Sequence, residues 1–134
     1  MMYGDKMKAF LSIKYHTDAA NQEKIQDIVE VLEESGFEVS CMTTKDYNRD
    51  EEMEAEELMK ETFEEIDSSD LMFVDLTEKG VGLGIEAGYA RNQGIPVYTI
   101  ADKGSDISKT LEGISEEIIE YESPGDLADK LKRI

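Results

Sequence analysis

Apolar positions along the chain change their period several times, and each change marks an element. Lys8-Ala9-Phe10-Leu11-Ser12-Ile13 is a short apolar run followed by polar residues, which reads as a buried first strand. Ile25, Ile28, Val29 and Leu32 then share one helical face, with Asp18 or Asn21 as the candidate cap and Ser35-Gly36 as the stop. Phe37 to Met42 alternates at Phe37, Val39 and Cys41, the pattern of a second strand. In the segment from Arg49 to Asp70, Met59, Phe63 and Ile66 stand at i, i+4 and i+7, so one stripe of a helix can face a sheet. Leu71-Met72-Phe73-Val74-Asp75 is the most apolar strand and ends in an acid. A glycine-rich loop, Gly80-Val81-Gly82-Leu83-Gly84, leads into a helix ending near Gly94, and Ile95 to Ile100 follows as a fourth strand. Ser105 to Gly113 reads as a short helix and Glu117 to Tyr121 as a fifth strand. Pro124 fits the first turn of a last helix carrying Leu127, Leu131 and Ile134 on one face.

Strand and helix thus alternate five times, without an internal repeat or a low-complexity linker. That alternation implies a parallel sheet with helices on both faces. The expected architecture is a single domain over residues 1–134, an α/β three-layer sandwich of the flavodoxin/Rossmann-like kind with a five-stranded parallel sheet. Such sheets bind ligands at the carboxyl ends of their strands, beside the point where strand order reverses. The residues just after strands one, three and four are therefore the ones to question.

Composition narrows the partners. Of 134 residues, 32 are Asp or Glu and 14 are Lys or Arg, a formal charge of -18. That charge repels phosphate backbones and anionic lipid, which argues against a nucleic acid polymer or a membrane surface as partner. A single small anion is still compatible, because local donors can outweigh a distant field. The segment from Arg49 to Asp70 alone holds eleven acids and two basic residues and reads as a solvated outer face. Cys41 is the one cysteine, so neither an internal disulfide nor a multi-cysteine zinc site can form. A reducing, cytoplasmic setting is the expectation, since the N-terminal residues lack a signal-peptide pattern. No metal constellation is visible, and no cofactor is implied.

The densest chemical signal is the run from Gly80 to Ala90. Glycines let a backbone approach a ligand closely, and a helix start directs free amide groups at whatever lies there. Glu86 is expected in that first turn, where the helix dipole favours an ionised carboxylate. An ionised carboxylate at the floor of a cleft is what a nucleophile at a sugar carbon must be. A Glu in a first helical turn is also ordinary in so acidic a chain, and the glycines could serve close packing instead. Gly82-Leu83-Gly84-Ile85-Glu86-Ala87 also satisfies G-x-G-x-x-A, with Asp102 twenty residues after Gly82. The intervening loop from Leu76 to Val81 argues against a dinucleotide fingerprint, whose first glycine follows its strand almost directly. Among single residues, His16 and Tyr15 in the loop after strand one could face the cleft, though exposed loop positions need no ligand. Tyr89 reads as a packing residue, and Cys41 as a small buried apolar one.

Ser69-Asp70-Leu71-Met72-Phe73-Val74-Asp75-Leu76-Thr77, the glycine loop, Glu86-Ala87-Gly88-Tyr89-Ala90 and Ile95-Pro96-Val97 together resemble the nucleoside 2-deoxyribosyltransferase superfamily. That superfamily includes the 2′-deoxynucleoside 5′-monophosphate N-glycosidases, to which the chain looks nearest. The resemblance implies cleavage of the bond between deoxyribose and base of a small deoxynucleotide or deoxynucleoside, with Glu86 attacking the anomeric carbon. Water would then release the sugar, or a second base would take it. Ser12-Ile13-Lys14 is similar to the S-I-R that helps hold sugar and phosphate, with Lys14 keeping the charge but not the bidentate fork of Arg. The glycine loop (Gly80, Gly82, Gly84) and Ser108 match substrate-binding positions, and Asp75 matches an acidic one suited to proton transfer. Two positions depart from the pattern: Thr62 stands where an assisting Asp is usual, and Gly80 where Asp or Ser is. A nucleotide-binding module that does not turn its ligand over is therefore the alternative, beside a base-exchanging transferase. Family members commonly pair, so a homodimer is implied.

Overall fold

In the computed structural model, which describes residues 6–16, 18, 20–45 and 53–134, a central sheet is covered on both sides by helices. In chain order the elements are β1 (Met7–Ile13), α1 (Gln22–Glu34), β2 (Phe37–Ser40), the one-turn α2 (Met42–Lys45) and α3 (Ala55–Asp67). Then come β3 (Leu71–Asp75), α4 (Val81–Asn92), β4 (Val97–Asp102), α5 (Lys109–Ile114), β5 (Glu117–Tyr121) and α6 (Pro124–Leu131). The five strands are all parallel in the order β2-β1-β3-β4-β5. This is the flavodoxin-like doubly wound order, with strand order reversing between β1 and β3. The first five residues and residues 46–52 lie outside the described residues, and with them the N-terminal reading and the start of the acidic segment.

Strand parity divides the core. Ala9, Leu11, Ile13, Leu71 and Phe73 point to the side covered by α1 and α6, where Ile25, Ile28, Leu32, Leu127 and Leu131 meet them. Phe10, Met72 and Val74 point to the other side, against Ile66 of α3, Leu83, Ala87 and Ala90 of α4, and Leu111 of α5. The central strands are buried on both faces, which is why they read as continuous apolar runs. Parallel pairing sets Ser12 beside Val74 and Ile13 beside Asp75. Ser12 therefore faces the α3/α4 side, and Asp75 the α1/α6 side.

Several boundaries differ from the sequence expectation for physical reasons. β2 stops at Ser40, because α2 begins at Met42; Cys41 is buried between them. Asn21 occupies the N-cap position of α1 but makes no side-chain cap. Its amide Nδ2 instead donates to the Lys14 carbonyl at 2.7 Å, and its Oδ1 accepts from the His16 N–H at 3.3 Å. Asn21 thus braces the loop leaving β1. α5 starts at Lys109 rather than Ser105, with Ser108 as its N-cap, and Ile134 lies exposed beyond the end of α6.

The largest difference lies after β3. The run expected as a glycine loop is the first turn of α4, whose N-cap is Gly80. Glycine disfavours a helix interior by roughly 1 kcal/mol each, so local preference alone argues for a loop. Packing overrides it: Leu83, Ala87 and Ala90 fall at i, i+4 and i+7 and are buried on the sheet. Two alanines in that stripe let the helix axis approach β1 and β3 closely.

Phe73 is fully buried at the centre of β3, edge-on to Phe37 with ring centroids 5.3 Å apart. Phe73→Ala is expected to cost about 3–5 kcal/mol in urea unfolding. A cost below about 1 kcal/mol would show that this core layer does not carry the fold.

Candidate active site

At the reversal point, the carboxyl end of β1 and the start of α4 enclose a cleft of about 320 Å3. Small-molecule sites have volumes from roughly 300 Å3 upward. Ser12, Lys14 and Tyr15 line it from β1 and the loop beyond, and Met42 and Thr43 from α2. Gly80, Val81, Gly82, Leu83 and Glu86 line it from α4.

Glu86 is the sixth residue of α4 and so belongs to its second turn; the first turn contains no acid. The helix dipole therefore does not hold Glu86 ionised, since that effect fades beyond the first turn. Burial acts instead. The close approach of α4 to the sheet takes the carboxyl partly out of water, which pushes its pKa above the ordinary carboxylate range. One hydrogen bond opposes this: Ser12 Oγ, itself 2% exposed, donates to Glu86 Oε1 at 2.6 Å. Among the described residues no hydrogen bond reaches Oε2, and a Cβ at Gly82 would stand 3.7 Å from it.

The structure gathers some of the expected residues and separates others. Ser12, Lys14, Gly80, Gly82 and Glu86 share the cleft. Gly80 adjoins the Lys14 stem: a Cβ there would stand 3.8 Å from Lys14 Cγ and Cδ. Asp75 is not in this cleft. It is 1% exposed on the opposite face of the sheet, where Oδ2 accepts from Tyr121 Oη at 2.7 Å and Oδ1 from the Thr77 N–H at 2.9 Å. Gly84 does not line the cleft, and Ser108 caps α5 by accepting from the Leu111 N–H at 3.4 Å. Thr62 is buried in α3 and returns its hydroxyl to the Leu58 carbonyl at 2.8 Å. His16 pairs through Nε2 with Glu78 at 2.9 Å, joining the loops that follow β1 and β3. Tyr89 packs on Phe63 and donates to Asp67 rather than reaching the cleft.

A second polar group, not anticipated from the sequence, occupies the Asp75 face. Lys24 Nζ donates to Asp102 Oδ2 at 2.8 Å and Thr77 Oγ1 at 3.2 Å, and lies 5.6 Å from the Tyr121 ring centroid. Burial and the adjacent Asp75 raise the Tyr121 hydroxyl pKa, keeping it a donor. Asp102, twenty residues after Gly82, is thus tied to Lys24 rather than placed for a ribose. With the glycines inside a helix, the dinucleotide fingerprint loses its turn as well. Among the described residues no group of three or more His, Cys, Asp or Glu is placed to hold a metal, and no helix is long and apolar enough to cross a membrane.

Residues 11–124 match the family profile described as nucleoside 2-deoxyribosyltransferase. No curated protein sequence matches significantly. Among solved structures, the fold is similar to that of a CMP N-glycosidase from Clostridium botulinum, with 22% identity, TM-score 0.66, and coverage of 94% of this chain and 98% of that one. It is similar too to a 2-deoxyribosyltransferase from Bacillus psychrosaccharolyticus, with 16% identity, TM-score 0.69, and coverage of 91% and 90%. A conserved protein from Enterococcus faecalis V583 matches with 12% identity, TM-score 0.68, and coverage of 96% and 99%.

The raised Glu86 pKa has a signature in stability. Between the ordinary value of 4.5 and its folded value, the folded chain keeps a proton that the unfolded chain has released. Stability contributed by this group is therefore present at low pH and lost as pH rises through the folded pKa. Glu86→Gln, which can still accept from Ser12, is expected to melt higher than wild type at pH 7, and this advantage should vanish toward pH 4.5. Equal melting temperatures at pH 7 would show that Glu86 carries no burial penalty.

Proposed function

Since the chain belongs to the nucleoside 2-deoxyribosyltransferase family, we propose that it is an N-glycosidase cleaving the base–deoxyribose bond of a 2′-deoxynucleoside 5′-monophosphate. The observation that carries this reading is the half-buried Glu86 carboxylate, held by Ser12 on the floor of the cleft where strand order reverses. A Glu86 oxygen attacks the anomeric carbon and forms an ester as the bond from that carbon to the base nitrogen breaks. The electron pair leaves with the base, which takes a proton from solvent. Water then adds to the anomeric carbon, the ester bond breaks, and Glu86 is released as a carboxylate. In each of these two steps, positive charge develops on the sugar in an oxocarbenium-like transition state. A poorly hydrated carboxylate opposite that charge stabilises it more than a hydrated one does.

Lys14 supports a monophosphate as substrate. It is the cationic side chain lining the cleft, and the adjacent Gly80 leaves room beside its stem. An ammonium contacts phosphate as a point charge, without the fork of Arg. Ser12 faces the nucleophile, so its part is positioning. Tyr15 and Met42 offer apolar surface for the base. Asp75, with both oxygens engaged on the far face, anchors the β3–α4 loop through Thr77 rather than moving a proton at the sugar.

A second reading, a nucleotide-binding module that does not turn its ligand over, is favoured by Thr62, whose back-bonded hydroxyl supplies no acid; a base-exchanging transferase is the other alternative. The sugar is open as well. The Clostridium botulinum neighbour is named for a ribonucleotide, CMP, and the family for a 2-deoxyribosyl group. The deciding experiment is base release from the deoxynucleoside monophosphates, the free deoxynucleosides and matched ribonucleotides, with and without an acceptor base. Free base from a deoxynucleotide, reduced at least about 10³-fold in Glu86→Gln, is expected for loss of a nucleophile. Turnover unchanged in that variant would rule out the covalent step, and saturable binding without free base would select the binding module.

The expected homodimer has a candidate face. Val81, Gly84, Ile85 and Gly88 stand at i, i+3, i+4 and i+7 on the outer side of α4, with Val81 82% and Ile85 49% exposed. At -18 per chain, pairing works against like-charge repulsion, so salt should strengthen it. Sedimentation at two salt concentrations is expected to show a dimer that tightens with salt. A monomer at both would remove this assignment.

A further inference from the structure

We propose that Gly82 determines how the sugar reaches the nucleophile: its missing side chain keeps the untethered oxygen of Glu86 open to the anomeric carbon. The inference rests on the glycosidase reading and assigns the attacking atom within it.

Helical side chains lean toward the N-terminus, so a residue covers the surface of the turn before its own. Position 82 lies four residues before Glu86 and is the position whose side chain would flank that carboxylate. A Cβ there would stand 3.7 Å from Glu86 Oε2 and, outside the backbone of its own helix turn, within 4 Å of no other atom. Neither the backbone nor the core calls for glycine at this point. Positive φ among the described glycines occurs at Gly36, Gly94 and Gly104, not at Gly82. The surroundings have room for a methyl group, and alanine is the better helix former. What the glycine leaves open is the approach to Oε2.

The two carboxylate oxygens are thereby distinguished. Oε1 accepts the Ser12 hydroxyl at 2.6 Å, which fixes the plane of the carboxylate. Oε2 has a free lone pair beside the cleft-lining Gly82. The new ester bond forms from Oε2 to the anomeric carbon as the bond to the base breaks, while Oε1 keeps its hydrogen bond. An attacking atom needs an approach of roughly 3–3.5 Å along the bond to be formed, and misplacement by about 1 Å costs about 10²-fold. A methyl group 3.7 Å from Oε2 occupies part of that approach without displacing Glu86.

The test is Gly82→Ala, measured for base release and melting temperature beside wild type and Glu86→Gln. The expected result is a melting temperature equal to or above wild type, KM within about threefold, and kcat lowered about ten- to a hundredfold. An unchanged kcat, or a change confined to KM, overturns the role of Gly82. In those cases the loss in Glu86→Gln still upholds the glycosidase. A lowered melting temperature also overturns it, by showing that glycine is needed for packing. A wild-type protein that releases no base from any nucleotide removes both readings together.

Discussion

One hydrogen bond joins the two halves of the site, from the Ser12 hydroxyl at the end of β1 to Glu86 in the second turn of α4. It can form only because α4 lies close to the sheet, and α4 lies close because its buried stripe is Leu83, Ala87 and Ala90. Larger residues at 87 and 90 would lift the helix and carry the carboxylate away from the strand. The same closeness withdraws Glu86 from water and raises its pKa. A packing choice made by two alanines thus sets both the position of the candidate nucleophile and its proton affinity.

Strand parity imposes the other constraint. Ser12 and Asp75 come from neighbouring strands and stand only one register step apart, yet they point to opposite faces of the sheet. The carboxyl edge is consequently divided into two polar systems. On one face Ser12 and Glu86 border an open cleft; on the other Asp75, Tyr121, Thr77, Lys24 and Asp102 satisfy one another. Asn21 and the His16–Glu78 pair brace the loops above this division.

Much of this was legible in the sequence, because strands buried on both faces and helices with one apolar stripe leave strong periodic signals. All five strands and the parallel arrangement follow from those signals, and Ser12, Lys14 and Glu86 fall at the expected edge. What escaped depends on contacts distant in sequence. The glycines at 80, 82 and 84 favour a loop locally, and only the sheet beneath Leu83 and Ala87 turns them into a helix start. That shift moved Glu86 by a full turn and replaced a dipole argument with a burial argument. Asp75 ends a strand that is apolar on both sides, so its pattern does not reveal which side faces the cleft. Asn21 has the composition of a cap, but its Oδ1 accepts from the His16 N–H while its Nδ2 donates to the Lys14 carbonyl, and no spacing rule records those contacts.

Two acids at the carboxyl edge are withdrawn from water in a chain that keeps most of its 32 in solvent, and their partners separate their roles. Asp75 has a donor on each oxygen, which satisfies its buried carboxylate. Glu86 has a donor on one oxygen and an opening beside the other. A group held only for stability would gain from a second donor, or from replacement by an uncharged residue of the same shape. The stability-lowering features lie together: a desolvated acid, a carboxylate oxygen with no donor among the described residues, and a helical glycine that no backbone geometry requires. Their coincidence at the point where strand order reverses is the pattern the proposed site calls for. The fold alone does not carry that conclusion, since similarity at 12–22% identity establishes shared architecture and leaves chemistry to the residues.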